Sequence, residues 1–400
     1  MVSVPRDELE RRHGALRRLL DESEPAVDAV VVLQKTDLYY LTGTIQQGHF
    51  LLPREGSSRL LVRKVVERAR EDSALDDVRS MRSLKELREQ CRELCGPPPW
   101  RIGMELDVMP VNLWNRYRHV FGDDAEIVDV SAAITRARSR KSEWEVEQFR
   151  QAAEIHARIF AELPHILRED ISTYEVQTRL ERRACELGHC GIIRMRGLDA
   201  ECTIGLVVSG AEGAVPSHSM FPIGGPGTHP WVAAGGSFRA LEPNTPIILD
   251  YLMSTTGYHA DCSRMAVKGE FPDEATEIFQ KIEGLLRFCE ERLEVGAVPS
   301  QIYQDVVERA ADEGLADGFM GPTGYQVPFV GHAVGLEVNE TPVVAPGFDE
   351  PLVEGNTLAI EPKYTHSRWG VIGLENTYWI KEGGPENLTD VSEDVIRSAD

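Results

Sequence analysis

Four acidic residues and one histidine stand where their spacing could support chemistry. In PIILDYLMSTTGYHADCSR, Asp250 closes the apolar run Ile247-Ile248-Leu249, and Asp261 follows eleven residues later. In TLAIEPKYTHSRWGVIGLENTYWI, Glu361 closes the run Leu358-Ala359-Ile360 in the same way, and Glu375 follows fourteen residues later. Between the two stretches, VGHAVGLEVNE sets His332 between Gly331 and the small Ala333. A carboxylate at the end of an apolar run is costly unless something pairs with it. Crowding all four acids around one imidazole would raise their pKa values until some neutralised. Two divalent cations would offset the four negative charges. An oxygen-rich set with a single nitrogen and no thiolate favours a hard ion such as Mn²⁺, with Zn²⁺, Co²⁺ and Fe²⁺ as alternatives. Two ions about 3.5–4 Å apart can share and activate one water, which is hydrolytic chemistry.

Two hairpins would bring the acids together. Ser254–Gly257 is a turn candidate between two strand-like arms. A loop centred on Thr255-Thr256 sets Asp250 opposite Asp261; one centred a residue later sets Asp250 opposite Ser263, with Asp261 diagonal to it. Because side chains alternate with period two, either register aims both carboxylates at one spot. A turn through Ser367–Gly370 places Glu361 opposite Glu375. Two hairpins, each presenting an acid pair, imply a two-fold resemblance between the halves of the region.

These words, GYHADCSR, GHAVGLE, IEPKY and GLENTYW, resemble those of the pita-bread metalloenzymes: prolidase, aminopeptidase P, methionine aminopeptidase and creatinase. The resemblance spans nearly the whole chain and is nearest to the Xaa-Pro peptidase branch. It implies an α/β N-terminal domain of the creatinase and prolidase type over residues 1–138, which includes Tyr40-Leu41-Thr42-Gly43. It implies an α+β pita-bread catalytic domain with pseudo-two-fold symmetry over 139–400. By the resemblance Asp250, Asp261, His332, Glu361 and Glu375 are the ligands of two divalent ions. Asp250 would serve one ion, Asp261 and Glu375 both, and His332 with Glu361 would complete the other. Glu361 would manage the proton of the attacking water and His332 would also face the substrate. An upstream catalytic histidine is expected at His218 in AVPSH, displaced by one residue from the usual position, with His229 in GTHPW as its rival. Asn339 stands where active peptidases usually carry a further histidine, and Pro328 where many carry another. Asn339 and Arg264 are expected near the substrate, with Arg264 alternatively orienting a carboxylate ligand.

The implied substrate is a short peptide with proline in second position, cleaved as a dipeptide or from a longer N-terminus, and the implied assembly is a homodimer. Alternatives on the same scaffold are a creatinase-like amidinohydrolase, a dimethylsulfoniopropionate-type lyase, or a catalytically weakened binding relative.

The elements that must position these residues can be read from pattern. Residues 6–22 read as a helix, and AVDAVVVLQ, GHFLLP and RLLVRK as strands. A helix over about 83–95 is followed by strand RIGMELD, helix VNLWNRYRHVF and strand EIVDV, an α/β mixture. Ser142 with Glu145, and Ser172 with Glu175, have capping-box spacing, so helices are predicted from each, the first running to about 168. CTIGLVVSG reads as a strand, the Pro- and Gly-rich stretch after it as a long loop, and 273–293 and 300–314 as helices.

Composition sets outer limits. The chain has 43 basic and 65 acidic residues, for a net charge of −22, which argues against non-specific binding to nucleic acid or to an anionic membrane. No apolar run approaches the ~20 residues of a membrane span. The charged N-terminus has no signal-type apolar core, so a cytoplasmic protein is expected. Seven cysteines without a close CxxC pair fit reduced thiols better than a disulfide framework.

Overall fold

The computed structural model describes residues 3–22, 26–198, 200–217 and 221–399. The chain divides into two compact units, Met1–Arg138 with Arg196–Ala200, and Ser139–Met195 with Glu201–Asp400.

The first unit is built on a six-stranded mixed sheet. Its strands are β1 (Ala29–Val32), β2 (Gly48–Pro53), β3 (Arg59–Val62), β4 (Val78–Ser80), β5 (Trp100–Met104) and β6 (Ala125–Asp129), in the spatial order β4-β3-β2-β1-β5-β6. β1 pairs antiparallel with β2 and parallel with β5. All four residues of β1 are buried, as a strand covered on both faces requires. Helices Arg6–Asp21, Glu86–Cys95 and Val111–Phe121 match the periodic stretches of the sequence. Lys35–Thr42 is a helix that pattern alone does not show. Its eight residues are too few for a clear period, and its start rests on Gln34, whose side chain accepts from Asp37 N at 2.8 Å.

The second unit holds three sheets. β7 (Gly205–Ser209), β8 (Pro246–Met253), β9 (Ala260–Val267) and the late strand β17 (Ile396–Arg397) form one, in the order β17-β9-β8-β7. β10 (Gly331–Ala333), β11 (Glu340–Val344), β12 (Thr357–Ile360), β15 (Asn376–Lys381) and β16 (Gly384–Asn387) form the second, in the order β11-β10-β12-β15-β16. β13 (Lys363–His366) and β14 (Gly370–Gly373) form a two-stranded ribbon. Helices Glu143–Phe160, Thr173–Glu186, Asp273–Glu290 and Pro299–Asp312 accompany them. Both capping boxes form: Ser142 and Ser172 each accept from the backbone N–H of the glutamate three residues on, and each glutamate reaches back. The first helix stops at Phe160 rather than near 168. Pro164, lacking an N–H and clashing with the turn before it, begins a separate short helix, Leu163–Ile166. Asp273–Glu290 buries Ala275, Ile278, Phe279, Ile282, Leu285, Leu286 and Cys289, a helical stripe that packs into a core with Ile248, Met265, Ile360 and Ile372. That core lies under the strands carrying the acidic residues.

Several histidines are used as neutral core groups. Burial pushes His13 and His49 down to about 4, His156 to about 3 and His189 to about 4. His156 Nε2 lies 2.7 Å from the Tyr251 carbonyl and His13 Nε2 2.7 Å from the Leu41 carbonyl. A folded-state pKa below the unfolded value means that the unfolded chain takes the proton first. The stability these rings contribute is therefore complete above about pH 6.5 and drains as pH falls toward their folded values, by roughly 1.4 kcal/mol per pH unit for each ring. The urea midpoint at moderate salt is expected to fall between pH 7 and pH 5. A midpoint that holds steady would show that the rings protonate inside the fold.

Candidate metal centre

The antiparallel pairing of β8 with β9 sets Asp250 opposite Ser263 and Leu252 opposite Asp261, the second of the two registers the turn allowed. The β12–β15 ladder pairs Ile360 with Asn376, and the β13–β14 ladder pairs Lys363 with Gly373. Both ladders keep the same register, so Glu361 faces Glu375 in the gap between them. His332 lies on β10 opposite Ala359 of β12. Glycine at 331 is required there, because a Cβ would meet the Ala359 carbonyl oxygen at 2.5 Å. The sheets are tied at this point by Thr377, whose Oγ1 accepts from Asp261 N and donates to Asp261 O, both at 2.9 Å.

The five groups converge. Ligand atoms of Asp261, His332 and Glu375 lie within 4.8 Å of one another, and so do those of Asp250, Glu361 and Glu375. His332 Nε2 is 3.4 Å from Glu361 Oε1 and 3.9 Å from Asp261 Oδ2. Ser263 Oγ donates to Glu375 Oε2 at 2.6 Å. Burial, then the charges of Glu375, Asp250 and Glu361, drive the Asp261 carboxyl well above its ordinary range. Burial, helped by Glu375 and opposed by Lys363, raises Asp250 to about 6. Burial would raise Glu361, but Lys363 and His332 outweigh it and hold it low. His332 moves up on balance, burial being overcome by Glu361.

Whether a divalent ion suits these residues can be tested on one atom. Asp261 Oδ1 is buried and has no hydrogen-bond partner among the described residues. A buried carboxylate oxygen left bare is costly, and a cation facing Asp261, His332 and Glu375 would satisfy it. That half of the cluster fits a metal.

The other half is different. Lys363, fully buried, sends its Nζ to Glu361 Oε2, to Glu375 Oε2 at 2.9 Å and to Asp250 Oδ2 at 3.3 Å. The expectation of two ions left this ammonium out. Lys363 stands two residues beyond Glu361, so strand alternation already directs it to the same face.

The family model for metallopeptidase family M24 matches residues 147–382, and that for the creatinase/prolidase N-terminal domain matches residues 12–140. The chain belongs to metallopeptidase family M24. Family M24 membership makes it an enzyme of the peptidase class and implies divalent metal at the carboxylate and histidine cluster. It is 21% identical to a Xaa-Pro dipeptidase of Pyrococcus furiosus over 97% of this chain and 100% of the relative. Among solved structures it resembles an X-Pro aminopeptidase from Thermotoga maritima, with TM-score 0.78, 21% identity and coverage of 96% of this chain and 99% of that one. A Xaa-Pro dipeptidase from Bacillus anthracis superposes with TM-score 0.79, at 21% identity, covering 97% and 99% respectively. These likenesses establish the pita-bread fold with its creatinase-type N-terminal domain.

The remaining expected site residues of this M24 member fare unevenly. His218 lies outside the described residues. His229 is exposed in the Gly- and Pro-rich loop, its Nδ1 accepting from Trp231 N at 3.1 Å. Asn339 is exposed beside β11. Arg264 is fully buried and its N–H groups go to main-chain carbonyls, including Ser263 and Glu375 at 2.8 Å each, and to Asn376. Its position on β9 is one residue out of phase with Asp261 and Ser263, which points it away from them. His259 is buried, with Nδ1 2.8 Å from the Gly335 carbonyl. Cys202 was not anticipated near the centre. Burial, with Asp261 and Asp250 nearby, pushes its thiol above the ordinary value, which keeps it protonated and unreactive.

Proposed function

We propose that this chain is a metal-dependent hydrolase of short peptides with proline in the second position, an Xaa-Pro dipeptidase or Xaa-Pro aminopeptidase. The observation that carries the reading is the convergence of Asp250, Asp261, His332, Glu361 and Glu375, with Asp261 Oδ1 buried and bare. The names of the Pyrococcus furiosus and Thermotoga maritima relatives supply the substrate class. When bound, a divalent ion supplies Lewis acidity toward a carbonyl and lowers the pKa of a water. Glu361, held ionised, is placed to take a proton, and His332 Nε2 lies 3.4 Å from its Oε1. Mn²⁺ is the ion that the oxygen-rich donor set favours. A homodimer and a cytoplasmic location belong to the same reading. The seven cysteines are all free thiols, and no helix among the described residues is long and apolar enough to cross a membrane.

A second reading keeps the fold and changes the reaction, as an amidinohydrolase, a lyase or a binding relative. Lys363 within the ligand cluster favours it. One experiment separates the two. Xaa-Pro dipeptides, Xaa-Pro-Yaa tripeptides and matched Xaa-Ala controls are assayed with added Mn²⁺, alongside elemental analysis of the protein. Turnover of the proline substrates, abolished by EDTA and restored by Mn²⁺, is expected. Bound metal without turnover of any peptide sinks the peptidase reading and leaves the second.

A further inference from the structure

The Asp250, Glu361 and Glu375 half of the cluster already contains a cation. Lys363 Nζ touches all three of these carboxylates and, among the described residues, no others. An ammonium has three N–H donors and no acceptor, so three carboxylate oxygens satisfy it completely. The fold makes room for this side chain. Lys363 pairs across the ribbon with Gly373, and a Cβ at 373 would meet Lys363 Cγ at 2.5 Å. The lysine stem thus lies over the backbone of a residue that has no side chain. Charge counting runs the same way. Four carboxylates balance two dications, and a buried ammonium brings that set to one net positive charge before any hydroxide is counted. One dication plus the ammonium leaves a single negative charge, which a substrate ammonium can meet. A second ion in the Asp250 half would also sit directly against the ammonium, sharing its ligands.

We propose that Lys363 is a built-in occupant of one half of the centre, so that this protein holds a single divalent ion, at Asp261, His332 and Glu375. The inference rests on the metal-hydrolase reading only in requiring that the cluster bind metal. Lys363 then acts as a positioning residue: it fixes the orientation of Glu361 and Glu375 whether or not the ion is present. In a two-ion centre those carboxylates would be ordered by the second ion instead.

The test uses the full chain loaded with excess Mn²⁺ and dialysed. Elemental analysis is expected to give one Mn per chain, and the electron paramagnetic resonance spectrum to show the hyperfine pattern of an isolated Mn²⁺. Lys363→Ala under the same conditions is expected to take up a second ion and to show the broadened spectrum of two interacting ions. Two ions in the unaltered protein overturn the proposal, and so does the absence of any bound ion at saturating Mn²⁺. Should Lys363→Ala fail to fold, the stoichiometry and spectrum of the unaltered protein decide the matter alone. The two readings fail separately: peptide turnover with two ions bound overturns this inference and leaves the function standing, whereas one ion without turnover does the reverse.

Discussion

Arg264→Met is expected to destabilise the second unit by about 5 kcal/mol or more, comparable to the whole stability of many domains. The guanidinium is fully buried and donates to six acceptors. Nε reaches Ser392 O at 2.9 Å, Nη1 reaches Ser263 O and Glu375 O at 2.8 Å, and Nη2 reaches Asn376 Oδ1 at 2.8 Å, Val391 O at 2.7 Å and Thr389 O at 3.3 Å. Methionine preserves the apolar stem and removes every donor. Each buried acceptor left bare costs about 1–3 kcal/mol, and water can enter to serve only some of them. Two of these acceptors belong to the backbone that presents Ser263 and Glu375. Metal affinity should therefore fall along with stability, by ~10–100-fold, as when a ligand loses its outer support. Arg264→Lys, which restores one or two donors, should recover part of both. Urea denaturation with and without Mn²⁺ measures the two effects. A change in the unfolding midpoint worth less than about 1 kcal/mol for Arg264→Met would mean that the carbonyls find other donors, against the general rule that such groups are expensive to strand.

Arg264 also shows what the sequence could and could not convey. The hairpins were legible because a run of apolar residues, a turn and an acid at the strand's end obey the period of two. The register of β8 with β9 needed the structure only to choose between two allowed options, and both put Asp250 and Asp261 on one face. The same alternation, applied to Arg264, places it on the opposite face from Asp261, where it holds the carbonyls of Ser263 and Glu375 rather than their side chains. Lys363 is the converse case, in phase with Glu361 and overlooked. The helix predicted to reach 168 ran over Pro164, although a proline inside a helical period is a breaker on its own evidence. Lys35–Thr42 could not be read, since a short helix gains its stability from packing and from one cap, not from a repeated pattern. Whether an exposed loop residue such as His229 joins a site depends on long-range placement that no local pattern encodes.

Those considerations single out Asp261 as the residue whose replacement should have effects of opposite sign on two quantities. Its backbone is clasped by Thr377, so Asp261→Asn alters the side chain with little disturbance of the strand. In metal-free protein the carboxylate is a liability. Burial first, then Glu375, Asp250 and Glu361, push its pKa well above the unfolded value. A carboxyl shifted this way contributes stability only while protonated, at low pH, and that contribution is lost as pH rises through its folded value. At neutral pH a neutral amide of the same shape relieves the strain between like charges, so EDTA-treated Asp261→Asn should unfold at a higher temperature than EDTA-treated parent protein. With metal the order reverses. The parent gains stability by mass action, about 2.7 kcal/mol when free Mn²⁺ is a hundredfold above its dissociation constant. The variant, lacking a charged ligand from the half of the cluster that suits an ion, should gain little. Peptide turnover should fall by ~10²–10³-fold or more, the scale on which removal of a principal electrostatic stabiliser acts. Thermal unfolding of both proteins with and without Mn²⁺, together with the peptide assay, tests the crossing. If the variant is the less stable of the two after metal removal, Asp261 is held by something other than a cation, and the carboxylate cluster is not the metal centre.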